Sequence, residues 1–370
     1  MTSLNSQGRF DFLDSIRGIA ALMVAYLHYS AFFLREDFIM SSFEFGLMHF
    51  FNEYIDLGKV GVLIFFAISG MVIPFSLSKG GEYPVRRFFV SRVMRLYPVY
   101  WLSIPAGLYA YYYLGGKEIT TEVIVLNMTM FQQFFLVENI IGLYWTLQVE
   151  IIFYVMCIVL YKMNWLFNKK RIFMIALAFL ALALGAAIVR YYTQSKIPVG
   201  LLLALVFMFL GALWREYIFL ECLEAKRYSV VILISVLLSM PAISLLAYNQ
   251  DMGFGETWYR YVLTYYSAVF MIVTLTRFCH VKGRIFVWLG SISYSVYLFH
   301  HVIFLVLIDT VGEKTLASLG FPVHLYIAFS MIATIAVSSL TFRYIEQPMI
   351  KLGRNINNGF FKNEMDCAAK

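Results

Sequence analysis

The chain has 370 residues, of which 61% are apolar and only 14% carry a charged side chain. A soluble domain of this length carries about a quarter charged residues, so a water-soluble globule is excluded. The net charge of +7 does not indicate nucleic-acid binding here, because the loops of membrane proteins collect Lys and Arg. The composition therefore predicts an all-α, polytopic membrane protein.

Ten apolar runs predict about ten transmembrane helices, since a helix needs about 20 residues to cross a bilayer. The runs are Ser15–Leu34, Gly58–Leu77, Leu96–Leu114, Gly142–Tyr161, Ile172–Tyr192, Val199–Trp214, Ser229–Tyr248, Tyr259–Arg277, Ile285–Ile308 and Val323–Arg343. We find no repeat of fixed period and no separate soluble domain. One transmembrane domain is expected over residues 1–354, followed by a polar cytoplasmic tail over residues 355–370.

The placement of basic residues predicts the orientation of these helices. With the N-terminus in the cytoplasm, the inner segments hold about three times as many Lys and Arg residues as the outer segments. Both chain ends are therefore expected in the cytoplasm. The polar start and the lack of a small-residue cleavage site argue against a cleaved signal peptide. The four cysteines lack metal-ligand spacing, so we expect neither a metal site nor a disulfide.

The first predicted outer loop is acidic. Its carboxylates are Glu36, Asp37, Glu44, Glu53 and Asp56. We expect them to be ordinary solvated loop charges.

The first predicted helix contains Arg17 and His28. Eleven residues are about three helical turns, so both side chains lie on nearly the same face, roughly 16 Å apart along the axis. A neutral imidazole deep in a bundle can accept a proton from an attacking hydroxyl. The alternative is an Arg that extends to the membrane surface and a His that satisfies a hydrogen bond in the core.

A basic run precedes the third predicted helix. Arg92 and Arg95 are three residues apart and therefore face the same way. Two guanidinium groups at a cytoplasmic mouth suit phosphate groups, although basic anchoring of the helix is an equal alternative. For Arg86 and Arg87 we prefer the anchoring role.

The fourth and ninth predicted helices carry further polar groups. Glu150 follows Tyr144 and Trp145 and falls near the middle of its helix. A carboxylate at that depth needs a partner or a proton, so it either orients a hydroxyl acceptor or pairs structurally with Arg or His. In the ninth helix, Tyr297 and His300 are expected mainly to join helices by hydrogen bonds.

Taken together, these motifs resemble the acyltransferase type 3 family of integral membrane proteins. The resemblance rests on the pair Arg17 and His28, on Phe65-Phe66-Ala67-Ile68-Ser69-Gly70, on Arg92-Val93-Met94-Arg95 with Tyr97-Pro98, on Trp145 to Glu150, on Ser293-Tyr294 through His300, and on Glu346-Gln347-Pro348. It departs from the usual pattern at Thr146, where the family usually has Ser, and at Gln148, where Ser or Ala is common.

The resemblance implies roles for particular residues. Members move acyl groups from cytoplasmic acyl-CoA to extracytoplasmic sugars and related hydroxyl acceptors. The family ties the first motif, here Arg17 and His28, to donor use and catalysis, and its Arg-x-x-Arg motif falls on Arg92 and Arg95. We expect Ser69 to contribute to the donor side. Tyr144, Trp145, Tyr297 and His300 are acceptor-site or structural polar residues.

The resulting prediction is an O-acyltransferase of the bacterial cytoplasmic (inner) membrane. It would move an acyl group, in the first instance acetyl from acetyl-CoA, to a surface polysaccharide or lipid-linked glycan, with glycan-assembly proteins as partners. His28 would deprotonate the hydroxyl, and Glu150 would position the acceptor or His28. Direct transfer and an acyl-enzyme relay both stay open. The alternatives are a flippase for a lipid-linked sugar, which would be marked by inverted repeats, and a multi-pass glycosyltransferase.

Overall fold

A computed structural model of the protein describes residues 11–36, 38–78, 83–249, 257–312 and 320–368, with side chains up to Gly359. All regular secondary structure in these ranges is helical, and they contain no β-strand. Eight of the described helices are long and apolar enough to cross a membrane. The protein is therefore an all-α, polytopic membrane protein, as the composition predicts.

The described α-helices follow one another along the chain. They are α1 (Asp11–Arg35), α2 (Ser42–His49), α3 (Leu57–Ser78), α4 (Pro84–Gly107), α5 (Thr121–Thr129), α6 (Trp145–Lys162), α7 (Lys169–Thr193), α8 (Val199–Leu220), α9 (Leu223–Ala247), α10 (Trp258–Arg277), α11 (Arg284–Ser291), α12 (Ser293–Val311), α13 (Val323–Thr341) and α14 (Gln347–Ala368). Short π-helical turns (Phe50–Tyr54, Leu108–Tyr113 and Phe342–Glu346) and 3-10 turns (Gln132–Phe135 and Gly142–Tyr144) connect or extend them.

The eight membrane-spanning candidates are α1, α3, α6 to α9, α12 and α13. The third and eighth predicted spans also form helices, α4 and α10, but these lie outside the apolar set. The physical reason is their composition, since α4 carries four arginines and α10 is rich in tyrosine and threonine.

The ninth predicted span, Ile285–Ile308, is wrong as one continuous helix. It is divided at Ile292 (φ −93°, ψ 0°) into α11 and α12. Just before the break, α11 approaches α1 so closely that a Cβ on Gly290 would lie 1.9 Å from the carbonyl oxygen of Asp14. The spacing of apolar residues in the sequence does not indicate this tertiary contact.

The chain folds into two compact units. The first comprises Met1–Pro74, Val149–Ser291 and Leu316–Ala328, and the second comprises Phe75–Gln148, Ile292–Thr315 and Phe329–Lys370. The predicted domain boundary at residues 354/355 falls inside α14, and the division into a domain and a tail stays a prediction.

The first unit is built around α8, whose residues from Leu203 to Trp214 are all buried. Close backbone contact fixes its packing against α3. A Cβ on Gly70 would lie 1.8 Å from the carbonyl oxygen of Met208, and a Cβ on Gly211 would lie 2.1 Å from that of Ala67. Small residues at such crossings are the usual basis of helix association in membranes.

In the second unit, one buried amide holds the segment that leads into α6. The side chain of Asn127 donates to the carbonyl oxygens of Val123 (2.8 Å) and Glu138 (2.9 Å) and accepts from the backbone N–H of Ile140 (3.0 Å). The hydroxyl of Tyr100 donates to the carbonyl oxygen of Asn127 at 2.6 Å. A buried amide with its hydrogen bonds satisfied in this way is a structural anchor.

Candidate active site

Helix α1 carries Arg17 and His28, the first pair of candidate residues. The helix is continuous from Asp11 to Arg35, so the predicted three-turn spacing on one face is retained. Arg17 forms an ion pair with Asp14 one turn earlier, with 3.6 Å between Nη1 and Oδ1. Both Arg17 and His28 are partly buried.

Among the described residues, the charged side chains of Asp56 and Arg35 both act on the ring of His28. Asp56 directly precedes α3, and its carboxylate accepts the backbone N–H of Lys59 at 2.8 Å. This is an N-terminal helix cap, in which a side-chain oxygen satisfies a free backbone donor. The backbone N–H of Asp56 donates to Thr264 Oγ1 at 3.0 Å, which ties the cap to α10.

Asp56 is not a solvated loop charge, so that prediction is wrong for it. The residue is only 9% exposed. Arg260 Nη2 lies 3.2 Å from Asp56 Oδ2, and Lys59 Nζ lies 3.8 Å from the same oxygen. Two cations and the helix cap together offset the cost of removing the carboxylate from water.

The prediction is also wrong for Glu44, which is buried. Its carboxylate accepts the backbone N–H of Ser41 at 3.2 Å in a capping box at the start of α2. It also accepts the backbone N–H of His324 (3.1 Å) and the ring Nδ1–H of His324 (3.2 Å). Burial works to raise the pKa of Glu44, but these hydrogen bonds outweigh it and lower the pKa to about 2.

The same cluster continues to Tyr26, two residues before His28. The Tyr26 hydroxyl lies 3.1 Å from His324 Nε2, so Tyr26, His324 and Glu44 form a continuous hydrogen-bonded chain. None of the three is among the site residues predicted from the sequence. Of the other acidic residues in this loop, Glu36 is exposed and Glu53 partly exposed, while Asp37 lies outside the described residues.

The remaining candidates of the first unit are Glu150 and Ser69. Glu150 on α6 is partly buried and accepts a hydrogen bond from the hydroxyl of Tyr154, one turn later on the same helix. Ser69 on α3 is partly buried beside Gly70, the glycine at the crossing with α8.

In the second unit, Tyr144 and Tyr297 take part in buried hydroxyl pairs. The hydroxyl groups of Ser103 and Tyr144 lie 2.7 Å apart, and those of Thr146 and Tyr297 lie 2.9 Å apart. Thr146 therefore keeps the hydroxyl function of the Ser that the family pattern usually has there. Trp145, which lies between Tyr144 and Thr146 in the sequence, is partly buried at the start of α6.

His300 is fully buried on α12, and its ring is oriented by its own helix. Its Nδ1 lies 2.8 Å from the carbonyl oxygen of Tyr297 and 3.1 Å from that of Val296. Both neighbours are acceptors, so the neutral ring carries its proton on Nδ1. On the same helix, Ser295 donates to the buried carboxylate of Glu346 at 3.0 Å, which joins two of the motifs.

Of the two arginines in the Arg-x-x-Arg motif, Arg92 lines a cavity of about 310 Å³ at the start of α4. Its Nη2 donates to Ser76 Oγ at 3.1 Å, and its guanidinium lies 5.3 Å from the centre of the Phe88 ring. Arg95, one turn later, is partly buried but does not belong to the lining of this cavity.

No group of three or more His, Cys, Asp or Glu side chains in the described ranges could hold a metal ion. Among the described residues, Cys157, Cys222 and Cys279 are not in disulfide bonds, and the Cys367 side chain lies outside the described ones.

Comparison with known proteins places these residues in a family. The acyltransferase domain family matches residues 10–343, a range that contains all ten candidate site residues. The chain belongs to this acyltransferase type 3 family. This membrane acyltransferase is also similar to a protein of Acidianus two-tailed virus that is provisionally named an acetyltransferase, with 24% identity over 295 residues, 78% of this chain and 81% of the viral protein. No solved structure matches the chain significantly.

Proposed function

We propose that this membrane acyltransferase moves an acyl group, in the first instance acetyl, from cytoplasmic acyl-CoA to a hydroxyl group of an extracytoplasmic saccharide. A surface polysaccharide or a lipid-linked glycan has the required hydroxyl groups. The observation that carries the proposal is the family match over residues 10–343. The same match favours bond chemistry over the alternative of a flippase, which has no use for an acyl donor.

His28 acts as the general base. Its neutral imidazole takes the proton of the acceptor hydroxyl as the hydroxyl oxygen attacks the carbonyl carbon of the thioester. The carbon–sulfur bond then breaks, and the thiolate of CoA leaves and takes up the proton. The products are an O-acyl ester and free CoA, so no further reactant is needed.

Asp56 and Glu150 position the reacting groups. Burial and Arg35 disfavour a positive charge on His28, and the Asp56 carboxylate is the group whose charge favours the imidazolium that forms as the hydroxyl loses its proton. Asp56 is itself held by the cap of α3 and by Arg260, so it has little freedom to move. Glu150, oriented by Tyr154, positions the acceptor or His28.

Arg17, Arg92 and Arg95 bind the phosphate groups of the donor, with Ser69 contributing on the donor side. Guanidinium groups bind phosphate through paired N–H donors and stay charged at every physiological pH.

The hydroxyl and ring groups of Tyr144, Trp145, Tyr297 and His300 contribute to acceptor binding. We propose that the protein lies in the bacterial inner membrane with both chain ends in the cytoplasm. Glycan-assembly proteins are its proposed partners.

The test is an acyl-transfer assay with purified protein in proteoliposomes. Free CoA is measured with a thiol reagent, and acyl esters on added membrane glycans are measured by mass spectrometry. We expect CoA release that depends on both the acyl-CoA and the glycan. An absence of CoA release with acetyl-CoA, succinyl-CoA and longer acyl-CoAs, over a broad set of glycans, would contradict the proposal.

A further inference from the structure

Arg92 lines a cavity, and most of the other residues in the lining have no role in the function proposed above. It measures about 310 Å³, within the usual size range of small-molecule sites. Its lining residues are Ser76, Arg87, Phe88, Ser91, Arg92, Arg354, Asn357 and Asn358. Three are arginines and four carry a hydroxyl or an amide, and none of these described lining residues is acidic.

Helices α4 and α14 of the second unit supply all of these lining residues except Ser76, which lies at the end of α3. On α14, Arg354, Asn357 and Asn358 are spaced three and four residues apart and therefore share one face. The helix lies close to α4 at Gly353, where an added Cβ would lie 3.0 Å from Met94 Cβ. A glycine at this point lets the polar face of α14 approach the basic start of α4.

Hydrogen bonds hold the walls of the cavity in place. Asn357 Nδ2 donates to the carbonyl oxygen of Arg87 at 3.3 Å and to Ser91 Oγ at 3.1 Å, which ties α14 to α4. Arg92 donates to Ser76 Oγ at 3.1 Å, which ties α4 to the end of α3. These bonds join α14, α4 and the end of α3 around the cavity that the three arginines line.

Three guanidinium groups line this one space, and their positive charges favour an anion as its ligand. Phosphate suits the site, because planar guanidinium groups bind its oxygens with paired hydrogen bonds. We infer that this cavity binds a phosphate group through Arg87, Arg92 and Arg354, with Asn357 as the residue that positions Arg87.

The phosphate can come from either of two sources, the nucleotide part of the donor or the headgroup of an anionic lipid. Only the nucleotide source rests on the proposed acyl-CoA function. Arg87, predicted from the sequence to be a membrane anchor, would then bind the ligand directly. Arg354, at the edge of the predicted tail, would do the same.

The test is calorimetry on the full-length protein with two probes, adenosine 3′,5′-bisphosphate and vesicles that contain phosphatidic acid. We expect wild-type protein to bind at least one probe, and Arg354→Ala to weaken that binding about tenfold or more. Lys351→Ala is the matched control, since it removes one positive charge from the same helix outside the cavity and should change affinity less than about twofold.

Each outcome has a distinct meaning. Loss of bisphosphate binding alone identifies the donor as the source, and loss of vesicle binding alone identifies a lipid. If wild-type protein binds neither probe, or if Arg354→Ala and Arg87→Ala bind both as tightly as wild type, the inference is overturned. Equal melting temperatures of the variants exclude misfolding. A protein that binds bisphosphate but releases no CoA would keep this inference and lose the proposed function.

Discussion

His28 is the residue on which the proposed chemistry depends. It lies on a continuous helix, is partly buried, and has the carboxylate of Asp56 acting on its ring. A general base that takes up a proton in a site with little access to water needs such surroundings.

Replacing His28 with Ala should lower kcat by about a hundredfold or more, the usual contribution of a general base, with acetyl-CoA affinity nearly unchanged. The measurement is CoA release in proteoliposomes. His49→Ala serves as the control, because His49 lies on α2 and stacks on Phe45. Full transfer activity of His28→Ala would remove the proposed base.

Glu44 provides a pH test of the cluster that it forms with Ser41 and His324. The ionised carboxylate stabilises the folded protein because its folded-state pKa, about 2, lies below the ordinary value of 4.5. This contribution is fully present above pH 4.5 and is lost as the pH falls towards 2. Glu44→Gln should therefore lower Tm clearly at pH 5 and by a smaller amount at pH 3.

Glu53→Gln is the control for this experiment, since Glu53 belongs to the same loop and is partly exposed. An effect of Glu44→Gln on Tm that is equal at both pH values would contradict the assigned contacts.

How far the sequence predicts the site depends on the range of the contacts. The spacing of Arg17 and His28 is local, so the sequence predicts it correctly. The burial of Glu44 depends on His324, 280 positions away, and no local pattern predicts such a contact. Two local signals were available: Ser41 followed by Glu44 is a capping box, and Asp56 before an apolar run is a helix cap. Either signal would have argued against a fully solvated carboxylate.

At the scale of the helices, the crossing of α3 and α8 gives the sharpest stability test. A Cβ on Gly70 would meet the backbone of Met208 at 1.8 Å, so the helices must separate to accept it. Gly70→Ala should cost about 1 to 3 kcal/mol, as overpacking usually does, and should lower Tm by several degrees. On α7, Gly185 has no atom within 4 Å of an added Cβ.

Gly185→Ala is therefore the matched control, and its Tm should stay level or rise slightly, because Ala favours a helix more than Gly does. If both variants melted at the wild-type temperature in detergent, the close approach of α3 and α8 would be wrong.

Apolar runs predicted the existence of the membrane helices well, because long hydrophobic segments have few alternatives to a spanning helix. They failed at Ile292, which divides α11 from α12 close to the point where Gly290 packs against α1. They also do not indicate that the residues after 354 continue α14, whose polar face lines the arginine cavity.

At the scale of the whole molecule, composition, helices and family agree on a multi-pass membrane acyltransferase. An enzyme of this kind needs an acyl donor and an acceptor, and the proposal names acyl-CoA as the donor. The donor is central because the roles of His28 and of the arginines, and the direction of transfer, all depend on it.

Calorimetry with acetyl-CoA on the purified full-length protein tests this claim most directly. We expect saturable binding that weakens about tenfold or more in the Arg92→Ala/Arg95→Ala double variant. The control is Lys162→Ala/Lys170→Ala, an exposed pair that removes the same charge elsewhere and should bind as wild type does. If acetyl-CoA, succinyl-CoA and longer acyl-CoAs all failed to bind wild-type protein, acyl-CoA would not be the donor.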